Sequence, residues 1–146
     1  MSQTDRPKIL VVDDEPQGAE LLEAYLAGTD YDVEIAGDGD EALRKVREFK
    51  PDLVLLDVMM PKISGFEVCK RLKADPVTRD IVVFMVTALD QKADIERAVD
   101  VGTSDFLTKP VNKAELLIRV KSALKARAEK DPLEQTLAYI EGVQAR

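Results

Sequence analysis

The sequence predicts an α/β fold, a doubly wound, five-stranded parallel sheet with helices on both faces. Three apolar runs, at residues 9–12, 53–56 and 81–86, are unbroken and rich in Val, Ile and Leu. Such runs are typical of strands that are buried on both faces of a parallel sheet. Two weaker runs, at residues 33–36 and 105–108, include polar residues and suit edge strands. This contrast predicts the strand order 2-1-3-4-5.

Apolar residues at helical spacing lie between the strands, so strands and helices alternate along the chain. Strict alternation predicts right-handed crossovers, which place helices on both faces of the sheet. The apolar faces of the five predicted helices are Ala19, Leu22 and Leu26; Ala42, Val46 and Phe49; Cys69 and Leu72; Ile95, Ala98 and Val99; and Leu116, Val120 and Leu124.

Three of these helices begin with a capping box, in which a short polar residue is followed three residues later by Glu. The pairs are Asp38 with Glu41, Ser64 with Glu67, and Asn112 with Glu115. Gly102 is the predicted end of the fourth helix, because glycine readily adopts the left-handed conformation that ends helices.

The residues after about Arg127 follow a different pattern. Asp131 and Pro132 resemble a new helix start, with the aspartate as N-cap and the proline at the first helical position. Apolar residues then recur at helical spacing. They are Leu133, Leu137 and Ile140.

The chain is therefore expected to divide into three parts. These are a flexible N-terminus at residues 1–7, one domain at 8–127, and a linker or extra amphipathic helix at 128–146. Two interpretations of the last part remain open. It either connects to a longer chain or pairs two protomers, or it packs back on its own domain, since one short apolar stripe is compatible with both.

The charge balance is acidic, with 28 Asp and Glu against 21 Lys and Arg and a net charge of -7. An acidic chain repels nucleic acid, so direct binding of nucleic acid is not expected. No apolar run is long enough to span a bilayer or resembles a signal peptide, so we expect a cytoplasmic protein without a membrane partner. The single cysteine, Cys69, cannot form an internal disulfide.

Histidine is absent from the sequence. This excludes a histidine metal site, a Ser-His hydrolase and a phosphohistidine donor. Any chemistry must therefore use carboxylates, hydroxyls, lysine and a bound cation.

Polar residues stand at the carboxyl ends of four predicted strands. Asp13 and Asp14 follow the first strand, Asp57 the third and Lys109 the fifth, while Thr87 follows the fourth. Ligands of open α/β sheets bind beyond these strand ends, so the side chains are expected to meet in one crevice. Each residue alone is more typical of a turn or a helix cap, but together they supply what phosphoryl transfer needs.

Three carboxylates held close together repel one another, so such a site binds either protons or a divalent cation. Mg2+ fits a site that offers only oxygen ligands. A carboxylate can act as a nucleophile and give a mixed anhydride, and we predict this role for Asp57. Lys109 supplies a mobile positive charge for the phosphate oxygens, and the Thr87 hydroxyl can donate a hydrogen bond to them.

Four stretches of the chain resemble the receiver domain of bacterial two-component response regulators. They are ILVVDDE at residues 9–15, DLVLLDVMMP at 52–61, VTA at 86–88 and DFLTKP at 105–110. The resemblance covers roughly residues 8–127 and implies a flavodoxin-like fold of the chemotaxis-regulator type. Two positions depart from common relatives: Ser64 replaces Asp or Asn, and KPVN at 109–112 looks closer to receivers joined to cyclic-dinucleotide enzymes.

The resemblance implies a role for each residue of the site. Asp57 would be the phosphoacceptor and Lys109 would contact the phosphate. Asp14, Asp57 and the Met59 carbonyl would bind Mg2+ directly, and Asp13 would act mostly through water.

The resemblance also implies how the signal leaves the site. A phosphoryl group carries about -1.5 to -2 charges at neutral pH. Thr87 would move toward it and Phe106 would follow inward, where the small Ala88 leaves room for the ring. The change would reach the surface formed by the fourth predicted helix, the fifth strand and the fifth predicted helix, called here the output face. The Lys109-Pro110 bond is expected to be cis, an isomer that proline makes accessible.

The implied partners are a histidine kinase or phosphotransfer protein as phosphodonor, and an output domain or protein. A homodimer through the output face or the C-terminal helix is a further expectation. The chain is not expected to be an enzyme beyond its own phosphorylation and slow dephosphorylation at Asp57. Met59 and Leu89 flank the site and are apolar, so neither orients a water molecule, and a long-lived phosphoaspartate is predicted.

Three other functions remain as alternatives. An aspartyl phosphohydrolase generally needs Asp-x-Asp at one strand end, but Met59 lies two residues after Asp57, and Glu15 two after Asp13. A flavin-binding module would need a phosphate-binding loop, and no Gly-rich loop occurs. A receiver that only docks partners without phosphorylation would not need the full set of acids, threonine and lysine.

Overall fold

The computed structural model describes residues 6–88, 96–97 and 99–144, with side chains described as far as residue 128. Within them, five strands form one parallel sheet in the order β2-β1-β3-β4-β5, which confirms the predicted order. The strands are β1 (Lys8–Val12), β2 (Asp32–Ala36), β3 (Leu53–Asp57), β4 (Val82–Thr87) and β5 (Asp105–Thr108). The helices are α1 (Pro16–Leu26), α2 (Gly39–Phe49), α3 (Gly65–Ala74) and α4 (Lys113–Gln144).

Burial along the strands follows their position in the sheet. Every residue of β3 is buried, as are all but the first residues of β1 and β4. The edge strands β2 and β5 have one fully buried residue each. The unbroken apolar runs therefore mark the central strands, as predicted, because only these strands are covered on both faces.

Side chains alternate across the sheet and build one core on each face. Leu10 and Val12 contribute to the core that includes the apolar residues of α2 and α3. Ile9 and Val11 contribute to the opposite core, together with residues of α1 and α4. Most of the predicted helical faces are buried in these two cores. The buried members are Ala19, Leu22, Leu26, Ala42, Val46, Cys69, Leu72, Leu116 and Val120.

The predicted helix starts are confirmed by their hydrogen bonds. The Glu41 backbone N–H donates to Asp38 Oδ1 at 2.8 Å. The equivalent bonds run from Glu67 N to Ser64 Oγ at 3.2 Å and from Glu115 N to Asn112 Oδ1 at 2.9 Å. Gly102 has φ 91°, the left-handed conformation predicted for it. These caps fix where three helices begin, directly after loops at the carboxyl edge of the sheet.

The predicted helix start at Asp131 is wrong. A single helix, α4, runs from Lys113 to Gln144 through both Asp131 and Pro132. The proline removes one backbone hydrogen bond, at a cost of about 3 kcal/mol in a helix interior. Strong helix formers on both sides, Ala128 before and Leu133 after, favour continuation, because nucleating a separate helix is costly. Leu133, Leu137 and Ile140 have side chains outside the described residues, so the two interpretations of this stripe stay predictions.

The fourth predicted helix is described only in part. Glu96, Arg97, Val99 and Asp100 have helical backbone, and the Gly102 N–H donates to the Val99 carbonyl at 3.0 Å. Three residues singled out in the sequence lie outside the described residues. They are Leu89, Ile95 and Ala98. Within the described ranges, we find no helix that combines the length and the hydropathy needed to cross a bilayer.

Candidate functional site

The carboxyl edge of the sheet brings the predicted site residues together. Val12, the last residue of β1, pairs with Leu56, so Asp13 lies beside Asp57 at the end of β3. Asp57 itself pairs with Val86, which places Thr87 next to the same edge. The Lys109 backbone N–H donates to the Thr87 carbonyl at 2.8 Å and anchors the loop that follows β5. Parallel strands end at one edge, and that is why residues distant in sequence converge here.

Three carboxylates form a tight cluster at this edge. Asp13, Asp14 and Asp57 each place one oxygen within 4.8 Å of the others. Asp13 and Asp57 are 2% and 5% exposed, whereas Asp14 is half-buried. Two of the three charges are therefore almost fully removed from water, and solvent screens their mutual repulsion poorly.

Lys109 is the cation that faces the cluster. Its Nζ lies 3.3 Å from Asp13 Oδ2 and 3.7 Å from Asp57 Oδ1. The Lys109 side chain is 30% exposed, so it keeps contact with water while it spans both acids. The Lys109-Pro110 peptide bond is cis, as predicted. One lysine cannot balance three carboxylates, so the cluster retains an excess of negative charge.

Backbone donors hold two of the carboxylates in place. The Glu15 N–H donates to Asp13 Oδ1 at 2.9 Å, and the Met59 N–H donates to Asp57 Oδ1 at 3.3 Å. The Met59 side chain is 63% exposed, so this residue contributes its backbone to the site and little packing. Asp13 and Asp57 are therefore oriented by the backbone without a bound ligand.

Burial raises the pKa of Asp57 to about 6 from an ordinary value of 3.8. Lys109 opposes this change, while the nearby charge of Asp13 adds to it. Removal from water is the largest cause, because it penalises the charged form of a carboxyl group. A carboxyl group with a pKa close to neutrality at a strand end is typical of a functional site.

Two glycines of the site were not identified from the sequence. A Cβ added to Gly65 would lie 2.2 Å from the backbone oxygen of Asp57, so α3 starts in direct contact with the end of β3. A Cβ added to Gly18 would lie 2.3 Å from Asp13 Oδ2. Glycine within the first turn of two helices was the available signal, but the sequence shows neither close approach.

The two predicted switch residues occupy different environments. Thr87 is fully buried at the end of β4, and Phe106 on β5 is half-buried against the core that contains Val83 and Met85. Ala88 is exposed beside them. The structure thus places a buried hydroxyl and a half-buried aromatic ring on the adjacent strands β4 and β5.

The acidic cluster fits a hard divalent cation. Its donors are carboxylate oxygens, and oxygen is the ligand that Mg2+ prefers. Mg2+ keeps several waters and usually takes only one or two carboxylates, which suits a cluster with one half-exposed member, Asp14. The pKa of Asp57 is raised mainly by burial, and a nearby positive charge lowers it, as Lys109 does.

Comparison with known proteins assigns the chain to a family. The family model for the response regulator receiver domain matches residues 9–121. The chain belongs to this family. Its acidic cluster and Lys109 lie within the matched residues, so the receiver assignment covers the whole candidate site.

Individual relatives of this receiver domain are of several kinds. It is 46% identical over 128 residues to response regulator PleD of Caulobacter vibrioides, covering 88% of this chain and 28% of PleD. It is 42% identical to the DNA-binding response regulator MtrA of Mycolicibacterium smegmatis, covering 90% of this chain and 56% of MtrA. The signal receiver domain of a histidine kinase from Syntrophus aciditrophicus superposes with a TM-score of 0.77 at 38% identity, covering 82% of this chain and 91% of that one.

Membership in this family supports a phosphorylation-dependent switch of two-component signalling and not a conventional enzyme. The chain spans 28% and 56% of PleD and MtrA, so what those longer proteins do beyond the receiver does not transfer with the match. The site found here therefore has to carry the functional argument.

Proposed function

We propose that this receiver domain accepts a phosphoryl group on Asp57, with Mg2+, from a histidine kinase or phosphotransfer protein. One observation carries the proposal. Asp57 is a 5% exposed carboxylate that shares a 4.8 Å cluster with two further acids and lies 3.7 Å from the Lys109 ammonium. A nucleophile, acidic metal ligands and a cation for the phosphate are thus in one place, and phosphoryl transfer depends mainly on such positioning and charge.

The residues that would hold Mg2+ are the carboxylates of Asp14 and Asp57 and the carbonyl of Met59, with Asp13 acting through water. When bound, the ion offsets the charge of the carboxylates and of the incoming phosphoryl group. The half-buried position of Asp14 supports its role, because Mg2+ keeps part of its water shell.

Asp57 acts as the nucleophile in its ionised form. A carboxylate oxygen attacks the phosphorus atom, the P–O or P–N bond to the donor breaks, and a mixed anhydride forms on Asp57. Since the pKa of Asp57 is about 6 without a metal, roughly nine tenths of the carboxyl is ionised at pH 7. Lys109 is within reach of the phosphate oxygens once its partner becomes the phosphorylated Asp57.

Phosphorylation changes the output face through Thr87 and Phe106. The Thr87 hydroxyl hydrogen-bonds a phosphate oxygen, and the movement of β4 lets the half-buried Phe106 ring turn further inward. The output face then binds an output domain, a partner protein or a second receiver, the last either there or through the C-terminal helix.

The proposal extends to the compartment, the partners and the domain bounds of the switch. We propose that the switch acts in the cytoplasm with a kinase or phosphotransfer partner and has no direct contact with nucleic acid or membrane. The net charge of -7 supports the absence of nucleic-acid binding, because an acidic chain repels nucleic acid. Residues 8–127 form the receiver, and residues 128–146, in which the backbone continues α4 as far as Gln144, form a linker. The MtrA name shows that a relative binds DNA, so an output domain elsewhere in a longer chain could supply that activity.

The chemistry is tested by incubation with acetyl phosphate and MgCl2, followed by intact-protein mass spectrometry. We expect a phosphoryl adduct that disappears with EDTA and in Asp57→Asn. Asp40→Asn is the matched control, since Asp40 is an exposed acid on α2, and it should keep the adduct. An adduct that persists in Asp57→Asn, or that forms equally in EDTA, would contradict the proposal.

The readout is tested with beryllofluoride, which stabilises the activated state without turnover. Sizing with light scattering should show a change of assembly or partner binding in the wild type that Phe106→Ala loses while keeping full phosphorylation. Phe49→Ala serves as control, because Phe49 is a half-buried aromatic on α2, away from the output face. Wild-type behaviour of Phe106→Ala would refute the coupling.

The phosphoaspartate is proposed to be long-lived. The exposed Met59 side chain has no group that orients an attacking water, and the second flanking residue, Leu89, lies outside the described residues. Decay of the adduct within seconds after removal of acetyl phosphate would contradict this part of the proposal.

A further inference from the structure

Gly18 approaches the acidic cluster from the first turn of α1. A Cβ built on this glycine would lie 2.3 Å from Asp13 Oδ2, 3.1 Å from its Cγ and 3.5 Å from Oδ1. A non-bonded carbon and oxygen cannot approach to 2.3 Å, so any side chain at position 18 would compete with the carboxylate for the same space. The absence of a side chain at Gly18 thus defines the place where Asp13 lies.

Both oxygens of Asp13 are engaged in the observed position. Oδ2, the atom that a Cβ would displace, receives the Lys109 Nζ contact at 3.3 Å. Oδ1 accepts the Glu15 N–H at 2.9 Å. Asp13 is also only 2% exposed, so water cannot replace these two partners if the carboxylate is displaced.

We propose that Gly18 is a positioning residue for the acidic cluster. It leaves the space in which the Asp13 carboxylate turns toward Lys109 and Asp57. Under the proposed function, on which this part of the inference rests, the same space orients the Asp13 carboxylate toward the residues that would hold Mg2+. The clash would be with the end of a side chain and not with backbone, so Gly18→Ala should fold and act by moving the carboxylate.

The first measurement is the affinity for Mg2+, by isothermal titration of the full chain with MgCl2. Loss of a residue that orients ligands around a metal typically weakens binding by about 10-fold to 100-fold, and we expect this range for Gly18→Ala. The matched control is Gly37→Ala at the same edge of the sheet, where an added Cβ meets no atom within 4 Å. The control should bind Mg2+ as the wild type does.

A double-mutant cycle separates positioning from a general effect on the helix. In the Asp13→Ala background the competing carboxylate is gone, so Gly18→Ala should cause no further loss of Mg2+ affinity. Without metal, alanine is the better helix former, so Gly18→Ala should raise the urea midpoint in the Asp13→Ala background. In the wild-type background that gain should be absent or reversed.

The outcomes distinguish this inference from the proposed function. If the wild type binds no Mg2+ and takes no phosphate, the proposed function fails, and the urea cycle alone decides the role of Gly18. Equal urea shifts from Gly18→Ala in both backgrounds would overturn the inference. So would a wild type that binds Mg2+ while Gly18→Ala binds it equally well, or an equal loss of Mg2+ affinity with and without Asp13.

Discussion

The Asp57 carboxylate should destabilise the metal-free fold, and Asp57→Asn should remove this cost. The folded-state pKa of about 6 lies above the ordinary value of 3.8, so the folded chain holds this proton more tightly than the unfolded chain does. Stability linked to this proton is present below about pH 4 and is lost as the pH rises through 6. Asparagine has nearly the same shape and never acquires the charge.

The size of the effect follows from the same two values. A factor of ten in proton affinity is worth about 1.4 kcal/mol, so the difference between 3.8 and about 6 corresponds to about 3 kcal/mol at pH 8. Solvent screening reduces this little, because Asp57 is only 5% exposed. The value of about 6 already includes the attraction of Lys109, which lowers the pKa of Asp57 but is smaller than the effect of burial.

The assay is urea unfolding of the wild type and Asp57→Asn in EDTA at pH 4, 6 and 8. The difference in unfolding free energy should be small at pH 4 and reach about 3 kcal/mol in favour of Asp57→Asn at pH 8. Groups far from Asp57 titrate alike in both proteins and cancel in this difference, whereas Asp13 and Lys109 interact with the Asp57 charge and are part of the effect. A wild type as stable as Asp57→Asn at pH 8, or a difference that shrinks with rising pH, would refute the reasoning. Mg2+ at about 100 times its Kd should return about 2.7 kcal/mol to the wild type.

Three further predictions concern the support of the site. Gly65→Ala should lower the unfolding free energy by about 1–3 kcal/mol or more, because its Cβ would lie 2.2 Å from the Asp57 backbone oxygen. Urea unfolding, with Gly37→Ala as the control, measures this loss, and an unchanged urea midpoint would contradict the prediction. Lys109→Met should slow phosphorylation by acetyl phosphate about 100-fold and raise the pKa of Asp57 further, as the pH profile of adduct formation will show; an unshifted profile speaks against the ion pair. Asp38→Ala should cost about 1 kcal/mol, by loss of the α2 cap.

The strand order could be predicted because strands that are buried on both faces have unbroken apolar sequences. The runs at 53–56 and 81–86 are unbroken since β3 and β4 are covered on both faces, while β2 and β5 keep polar residues on an exposed side. Helix starts were equally legible, because capping depends on residues three positions apart. The predicted helix start at Asp131 was wrong, because a local start signal there competes with the continuation of a helix already formed.

The convergence of the site residues at one edge of the sheet could be predicted, but not their energetics. Position at a strand end is a property of the sequence once the sheet is known, and this is enough to gather Asp13, Asp57 and Lys109. The raised pKa of Asp57 depends on how completely its neighbours exclude water. The contact between Gly18 and Asp13 depends on how closely α1 approaches β1. Both are distances in the folded protein, and no spacing in the chain encodes them.

The charges of the site indicate which side chain, Asp13 or Lys109, would respond first to phosphorylation. Three carboxylates against Lys109 leave two negative charges in excess, which one divalent cation would offset. Phosphorylation replaces the single charge of Asp57 with about -1.5 to -2, so a new excess forms after the cation is in place. Asp13 is buried and both of its oxygens are already engaged, by the Glu15 N–H and by Lys109, so it cannot move to relieve the excess negative charge. Under the proposed function the 30% exposed Lys109 side chain follows the charge, and its backbone N–H donates to the Thr87 carbonyl at the end of β4.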